Sequence, residues 1–317
     1  MNLDTWPLAA KLADSKRILI SGAGGGFDIY SGLPLYFMLK AAGKEVFLGN
    51  LSFAPLPRQK HRRISSRCAV VDADLEEHGL YCPEYQLSRW FRETRDEEVS
   101  IYCFSQTGVA PIRSAYRKLV KKLDLDTIVL VDGGTDSLMR GDEVGLGTPQ
   151  EDIASIAAVA GSGVENAYLA AIGFGIDTYH GICHSQFLEA VTALTASGDF
   201  LGVSTVLPST HGAKEFCSAV DYANEKTPRR ESIVQNSLYS AIAGNFGDQH
   251  RTERTSGSRL WINPIMPIYW GFELAGIVKR NLYIDQLTDT ESMMEIAGII
   301  KKFRAKCRQR RWERIPS

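Results

Sequence analysis

Long apolar runs are missing. Nowhere in the 317 residues do 18 apolar residues follow one another, so no membrane-spanning helix is expected. The opening MNLDTWPLAAKLADSKR carries early acid and no apolar h-region, so it is not read as a secretory signal. Cysteine is sparse: Cys68, Cys82, Cys103, Cys183, Cys217 and Cys307 form no CxxC pair and share no regular spacing. A disulfide framework or a zinc knuckle is therefore not expected, and reduced thiols in a cytoplasmic protein are. An excess of one charge is also lacking, since 36 Lys+Arg face 37 Asp+Glu for a net charge of −1. That balance excludes a uniformly basic surface gripping nucleic acid or an anionic membrane. Three catalytic signatures are absent as well: the P-loop GxxxxGKS/T, the metalloprotease HExxH and the nucleophile elbow GxSxG.

What is present is an ordinary globular composition, 44% hydrophobic and 23% charged. Short apolar runs alternate with longer amphipathic segments. RILISGAG, EVFLGNL, VSIYCFS, DTIVLVDGG, NAYLAAIGFG and LGVSTVLPS read as strands. Between them DIYSGLPLYFMLKAAG, GVAPIRSAYRKLVKKLD, DIASIAAVAGSG and HSQFLEAVTALTASG read as helices, while residues 58–98 are ambiguous. Beyond residue 212 the helical signal dominates: ESIVQNSLYSAIAG, IYWGFELAGIVKRN and TESMMEIAGIIKKFRAKCRQ read as helices, with RLWINPI a short strand. Repeated strand–helix alternation predicts an α/β protein with a doubly wound, mostly parallel Rossmann-like sheet. No linker divides the chain, so the expectation is one α/β domain over 1–317, its core at about 16–212 and a helical elaboration at about 213–317.

In an open parallel sheet, ligands bind beyond the carboxyl ends of the strands. The first strand is followed by Gly22, Gly24, Gly25, Gly26 and Asp28, and this loop has two readings. It is either an anion- or nucleotide-binding loop whose N–H groups lie at a helix start, or a tight turn with Asp28 as the helix cap. The strand DTIVLV ends in Asp132, Gly134 and Asp136, continuing to Asp142 and Glu143. Carboxylates there suit Mg²⁺ or proton transfer, so Asp132, Asp136, Asp142 and Glu143 are the metal candidates; a solvated loop with Thr148 capping the next helix is the alternative. His180 and His184 would share a face on one helix, and His180 is the candidate acid–base residue. His211 and Asn263 are further candidate substrate contacts, while the aromatic residues after Asn263 read as core.

Two basic segments stand apart. Residues 58–67 carry five Lys/Arg and residues 301–314 carry eight, against six acids and only Arg140 at 132–152. The near-zero total is thus a cancellation of opposed local fields. Either segment is a solvated surface or a contact for an anionic substrate, a nucleic acid or an acidic neighbouring subunit.

The run ISGAGGGFDIYSGLPLYFMLKAAGKEVFLGN resembles the start of an uncharacterised archaeal and bacterial family, known as domain of unknown function 1152. LVDGGTDSLMRGDEVGLGTPQED, SIVQNSLYSAIAGNFGD and NPIMPIYWGFELAGIVKRN with the closing RIPS extend the likeness from about residue 17 to the C-terminus. The resemblance implies a whole-chain relationship and a fold, and brings no activity. Gly24, Gly25, Gly26, Asp28, Asp132, Gly134 and Asp136 fall on matching positions, and Phe27 stands where glycine is expected. GAG followed by SGLP is weakly similar to sirtuin-like NAD-binding loops, but two extra residues separate the pieces and Leu35-Tyr36-Phe37 replaces Asp-Phe-Arg.

The expected function is an enzyme that hydrolyses, or transfers a group on, a nucleotide or phosphorylated small metabolite. In this reading the glycine loop holds the anion and Asp132, Asp136 and His180 carry the chemistry. Mg²⁺ is the candidate cofactor and NAD the weaker one. The alternative is a non-catalytic small-anion-binding regulator whose basic tail meets nucleic acid or protein. The apolar C-terminal helices leave a homo-oligomer open, and no membrane partner is expected.

Overall fold

A computed structural model describes residues 6–56, 62–75 and 81–315. Its strands are β1 (Arg17–Gly22), β2 (Glu45–Ser52), β3 (Arg63–Ser65), β4 (Cys68–Val71), β5 (Ile101–Ser105), β6 (Thr127–Asp132), β7 (Asn166–Ala171), β8 (Phe200–Thr205) and β9 (Ile268–Glu273). The helices are α1 (Pro7–Ala13), α2 (Asp28–Ser31), α3 (Leu33–Ala41), α4 (Pro83–Arg95), α5 (Val109–Leu123), α6 (Pro149–Ala160), α7 (His184–Ser197), α8 (His211–Lys226), α9 (Ile233–Ile242), α10 (Leu274–Arg280) and α11 (Met293–Lys306). No helix among the described residues is long and apolar enough to cross a membrane.

The strands join one mixed, mostly parallel sheet in the order β3-β4-β5-β2-β1-β6-β7-β9-β8. From β5 to β7 every neighbouring pair is parallel. Ile18, Leu19 and Ile20 of β1 and Ile128 to Val131 of β6 are wholly buried, as expected of central strands covered on both faces. One face packs on α1, α2, α3, α4, α8 and α9, the other on α5, α6, α7, α10 and α11. In α5, Val109, Ile112, Tyr116 and Leu119 follow the helical period and supply its buried stripe. The doubly wound Rossmann-like architecture expected from the alternation is present.

Three local expectations are corrected. The helix read through DIYSGLPLYFMLKAAG is two helices broken at Gly32, where a Cβ would lie 2.7 Å from Ile20 Cγ2, so glycine lets the break sit against β1. The segment IYWGFELAGIVKRN is not one helix. Ile268–Glu273, rich in β-branched and aromatic residues, forms β9 between β7 and β8, and only Leu274–Arg280 is helical. RLWINPI is not a strand; it contributes an isolated bridge from Ile262 to Gly247. The helical elaboration therefore delivers an interior strand. Residues 58–61 of the first basic segment lie outside the described residues.

Candidate functional site

The chain order runs outward from β1 through β2 to β5, then returns to β6 and β7 on the other side. The switch point is the crevice between β1 and β6, where an open α/β sheet leaves room for a ligand. The loops after these two strands are the glycine-rich loop and the Asp132–Asp136 segment, and Ala23 N–H donates to Val131 O at 2.8 Å between them. Topology thus brings together two motifs separated by more than a hundred residues.

The glycine loop turns its amides inward. Gly24 N–H donates to Asp28 Oδ2 at 2.7 Å, and the amides of Gly25 and Gly133 also serve this carboxylate. The loop is braced from β2, because Asn50 Nδ2 donates to Gly26 O and to Glu84 Oε1, both at 2.8 Å. Gln235 of α9 reaches over to donate to Phe27 O. Asp28 lies at the start of α2 without capping it, so the capping alternative does not hold.

Five aspartates gather at this edge. Asp28, Asp132 and Asp152 each place a carboxylate oxygen within 4.8 Å of the others. Asp132 accepts from the Ser137 hydroxyl and from Ser137 N–H at 3.3 Å. Asp136 accepts from Thr148 N–H at 2.7 Å and from its hydroxyl, so Thr148 serves Asp136 rather than capping α6. Asp177 accepts from Thr135 N–H at 2.5 Å. Asp152, in the first turn of α6, is 3% exposed, and its Oδ1 has no hydrogen-bond partner among the described residues. Glycine makes the room: a Cβ on Gly134 would lie 2.5 Å from Asp177 Oδ2, and one on Gly24 would lie 2.7 Å from Asp152 Oδ1 and 2.9 Å from Asp28 Oδ2.

Burial sets the electrostatics. Desolvation pushes Asp28 up to about 7, opposed by its amide donors and helped by Asp136. Desolvation, then neighbouring carboxylates, holds Asp132 and Asp152 well above the ordinary range, and Asp177 rises for the same reasons. Asp136 is also raised by desolvation, with Thr148 and His180 working against it. Among the described residues no Lys or Arg is ion-paired to any of the five; the nearby arginines pair elsewhere.

The predicted residues divide accordingly. Gly22, Gly24, Gly25, Gly26, Asp28, Asp132, Gly134 and Asp136 converge at the switch point. His180 is exposed beside it and acts electrostatically on Asp136. It does not share a helix with His184, because it ends a short 3₁₀ turn and Gly181, at φ +86°, separates it from α7. Asp142 and Glu143 do not join the cluster. Asp142 pairs with Arg140 and Arg310, and fully buried Glu143 with Arg310 and Arg280. His211 instead packs on Phe37 and lines a cavity of about 280 Å³ with Trp6, Pro34 and Tyr269. Asn263 is buried and spends its side chain on Phe174 O, Trp261 O and Ile265 N–H. Asp152 and Asp177 were not singled out. Asp177 was visible beyond β7, whereas Asp152 reads as an acid complementing a helix start.

A second cavity of about 280 Å³ shares the 3₁₀ turn that carries Asp177. It is lined by Ile176, Tyr179, His184, Arg259 and Trp261. The basic tail folds back on its own chain. Arg304 donates to Gly141 O and Val144 O, Arg310 binds Asp142 and Glu143, and Glu313 O accepts from Cys183 and Ser185.

A family model described as protein of unknown function (DUF1152) matches residues 19–306. The likeness to sirtuin-like loops finds no support. Neither a curated protein nor a solved structure matches the chain.

Proposed function

We propose, for a chain that belongs to the family of proteins of unknown function DUF1152, an enzyme that hydrolyses or transfers a group on a nucleotide or phosphorylated small metabolite. The observation that carries this reading is the convergence of five aspartates, without a Lys or Arg partner among the described residues, on the β1/β6 switch point. Perturbed titratable groups in a cleft are the arrangement that proton transfer requires. Asp132 orients the reacting group, Asp136 takes or gives a proton, and exposed His180 relays it to solvent. The neighbouring cavity supports the substrate class: Trp261 and Tyr179 offer aromatic faces and Arg259 a cation for a phosphate. The glycine loop has a changed role in this reading, since its amides orient Asp28 instead of cradling the anion directly. Mg²⁺ is the cofactor that oxygen ligands favour. A cytoplasmic location accords with cysteines that form no CxxC pair and share no regular spacing.

The test is a thermal-shift screen of the full chain against nucleotides, NAD and sugar phosphates, with and without Mg²⁺, followed by turnover assays on the ligands that stabilise it. A nucleotide or sugar phosphate is expected to stabilise the protein and to be converted, with Asp132→Asn lowering kcat by about 10²-fold or more. Stabilisation without turnover would leave a small-anion-binding regulator in its place, and no stabilisation by any anionic ligand would sink both.

A further inference from the structure

We propose that Asp28, Asp132 and Asp152 bind one divalent, oxygen-preferring cation, in a cradle kept open by Gly24. The inference deepens the reading above, but its test uses the ion alone, so a failure of either is distinguishable from a failure of the other.

Two oxygens on opposite sides of Mg²⁺ are about 4.2 Å apart, and on Ca²⁺ about 4.6–5.2 Å. The three carboxylates offer one oxygen each, all within 4.8 Å of one another, a spacing that one such ion can bridge with little adjustment. Asp152 is 3% exposed and its Oδ1 accepts from no described residue, although nearly every buried polar atom in a folded protein finds a partner. This oxygen is aimed at the same place as Asp28 Oδ2, since a Cβ built on Gly24 would meet both at under 3 Å. The absent side chain of Gly24 is what leaves that place free.

Asp28 Oδ2 is held by Gly24 N–H, and Asp132 Oδ2 by Ser137. Outer hydrogen bonds of this kind orient metal-ligating carboxylates. Gly24 and Asp28 are the partly exposed members of the group, which gives an ion its way in. Oxygen-only ligands select Mg²⁺, Mn²⁺ or Ca²⁺ over softer metals.

The experiment is calorimetric titration of the full chain with MnCl₂, MgCl₂ and CaCl₂, each without substrate. The expected result is one ion per chain with Kd below about 1 mM for at least one of them. Asp152→Asn is expected to weaken binding about tenfold or more, and so is Gly24→Ala, which removes no charge but fills the cradle. Circular dichroism establishes that each variant is folded, and Gly24→Ala decides the matter should Asp152→Asn fail to fold. Absence of saturable binding by the wild type, or binding unchanged in folded Gly24→Ala, overturns the proposal.

Discussion

A carboxylate removed from water needs hydrogen bonds, a proton or a cation, and among the described residues no Lys or Arg is ion-paired to any of the five aspartates at the switch point. In the cation-free protein the proton is the alternative, and the pH dependence follows. Asp28 titrates near 4 when unfolded and at about 7 when folded, with Asp132, Asp152 and Asp177 shifted in the same direction. Between those values the folded state binds more protons than the unfolded one, so stability falls as pH rises. Melting in EDTA should therefore show Tm decreasing from pH 5 to pH 8. Asp152→Asn should raise Tm at pH 8 and flatten the slope, and a Tm that increases over this range would contradict the assignment. How much of this was readable in advance differs by residue. Asp132 stands out because it ends a strand with the apolar run Ile128–Val131, and Asp28 because it follows a cluster of glycines. Asp152 could not stand out, because an acid in the first turn of a helix is ordinary and only its missing partner makes it unusual.

At the scale of elements, the loop from β6 to α6 and the C-terminal tail form a single clasp. Glu143 is fully buried and faces Arg310 at 3.1 Å and Arg280 at 3.7 Å, while Arg304 donates to the carbonyls of Gly141 and Val144. The tail and the acidic segment are thus joined within the chain through Arg310, which pairs with Asp142 and Glu143, while Arg304 is occupied by backbone carbonyls. The clasp also covers Cys183. The thiol donates to Glu313 O, and burial works against its ionisation, but hydrogen bonds from the Ser185 hydroxyl and from the amides at the start of α7 hold it below its ordinary value. Arg310→Ala should cost about 2 kcal/mol, discounted for partial exposure, and should speed alkylation of Cys183 as mapped by mass spectrometry. An unchanged labelling rate at Cys183 would show that the tail does not shield it. The errors at this scale have a common source. Apolar runs of similar length serve either a strand or a buried helix, and IYWGFELAGIVKRN contains both in succession.

For the molecule as a whole, β9 is the element that makes the C-terminal third indispensable. It pairs antiparallel with β7 on one side and β8 on the other, so the sheet cannot close over residues 16–212 alone. A fragment ending at residue 212 would expose the unpaired edges of both strands. It should aggregate or remain loosely packed, as read by gel filtration and by amide exchange in β7; a monomeric fragment with native protection there would refute this account. The sequence by itself determined the alternation, and with it the Rossmann-like class, because strand and helix periods are local properties of neighbouring residues. It also determined that glycines and acids follow strand ends, since those positions are fixed along the chain. Only the tertiary structure decided which acids meet. Asp28, Asp132 and Asp152 come from three separate elements, and they converge because β1 and β6 are adjacent at the switch point while α6 returns across it. It likewise decided that Asp142 and Glu143 belong to arginines, because a salt bridge forms between whatever the fold brings within reach, and sequence proximity carries no information about that.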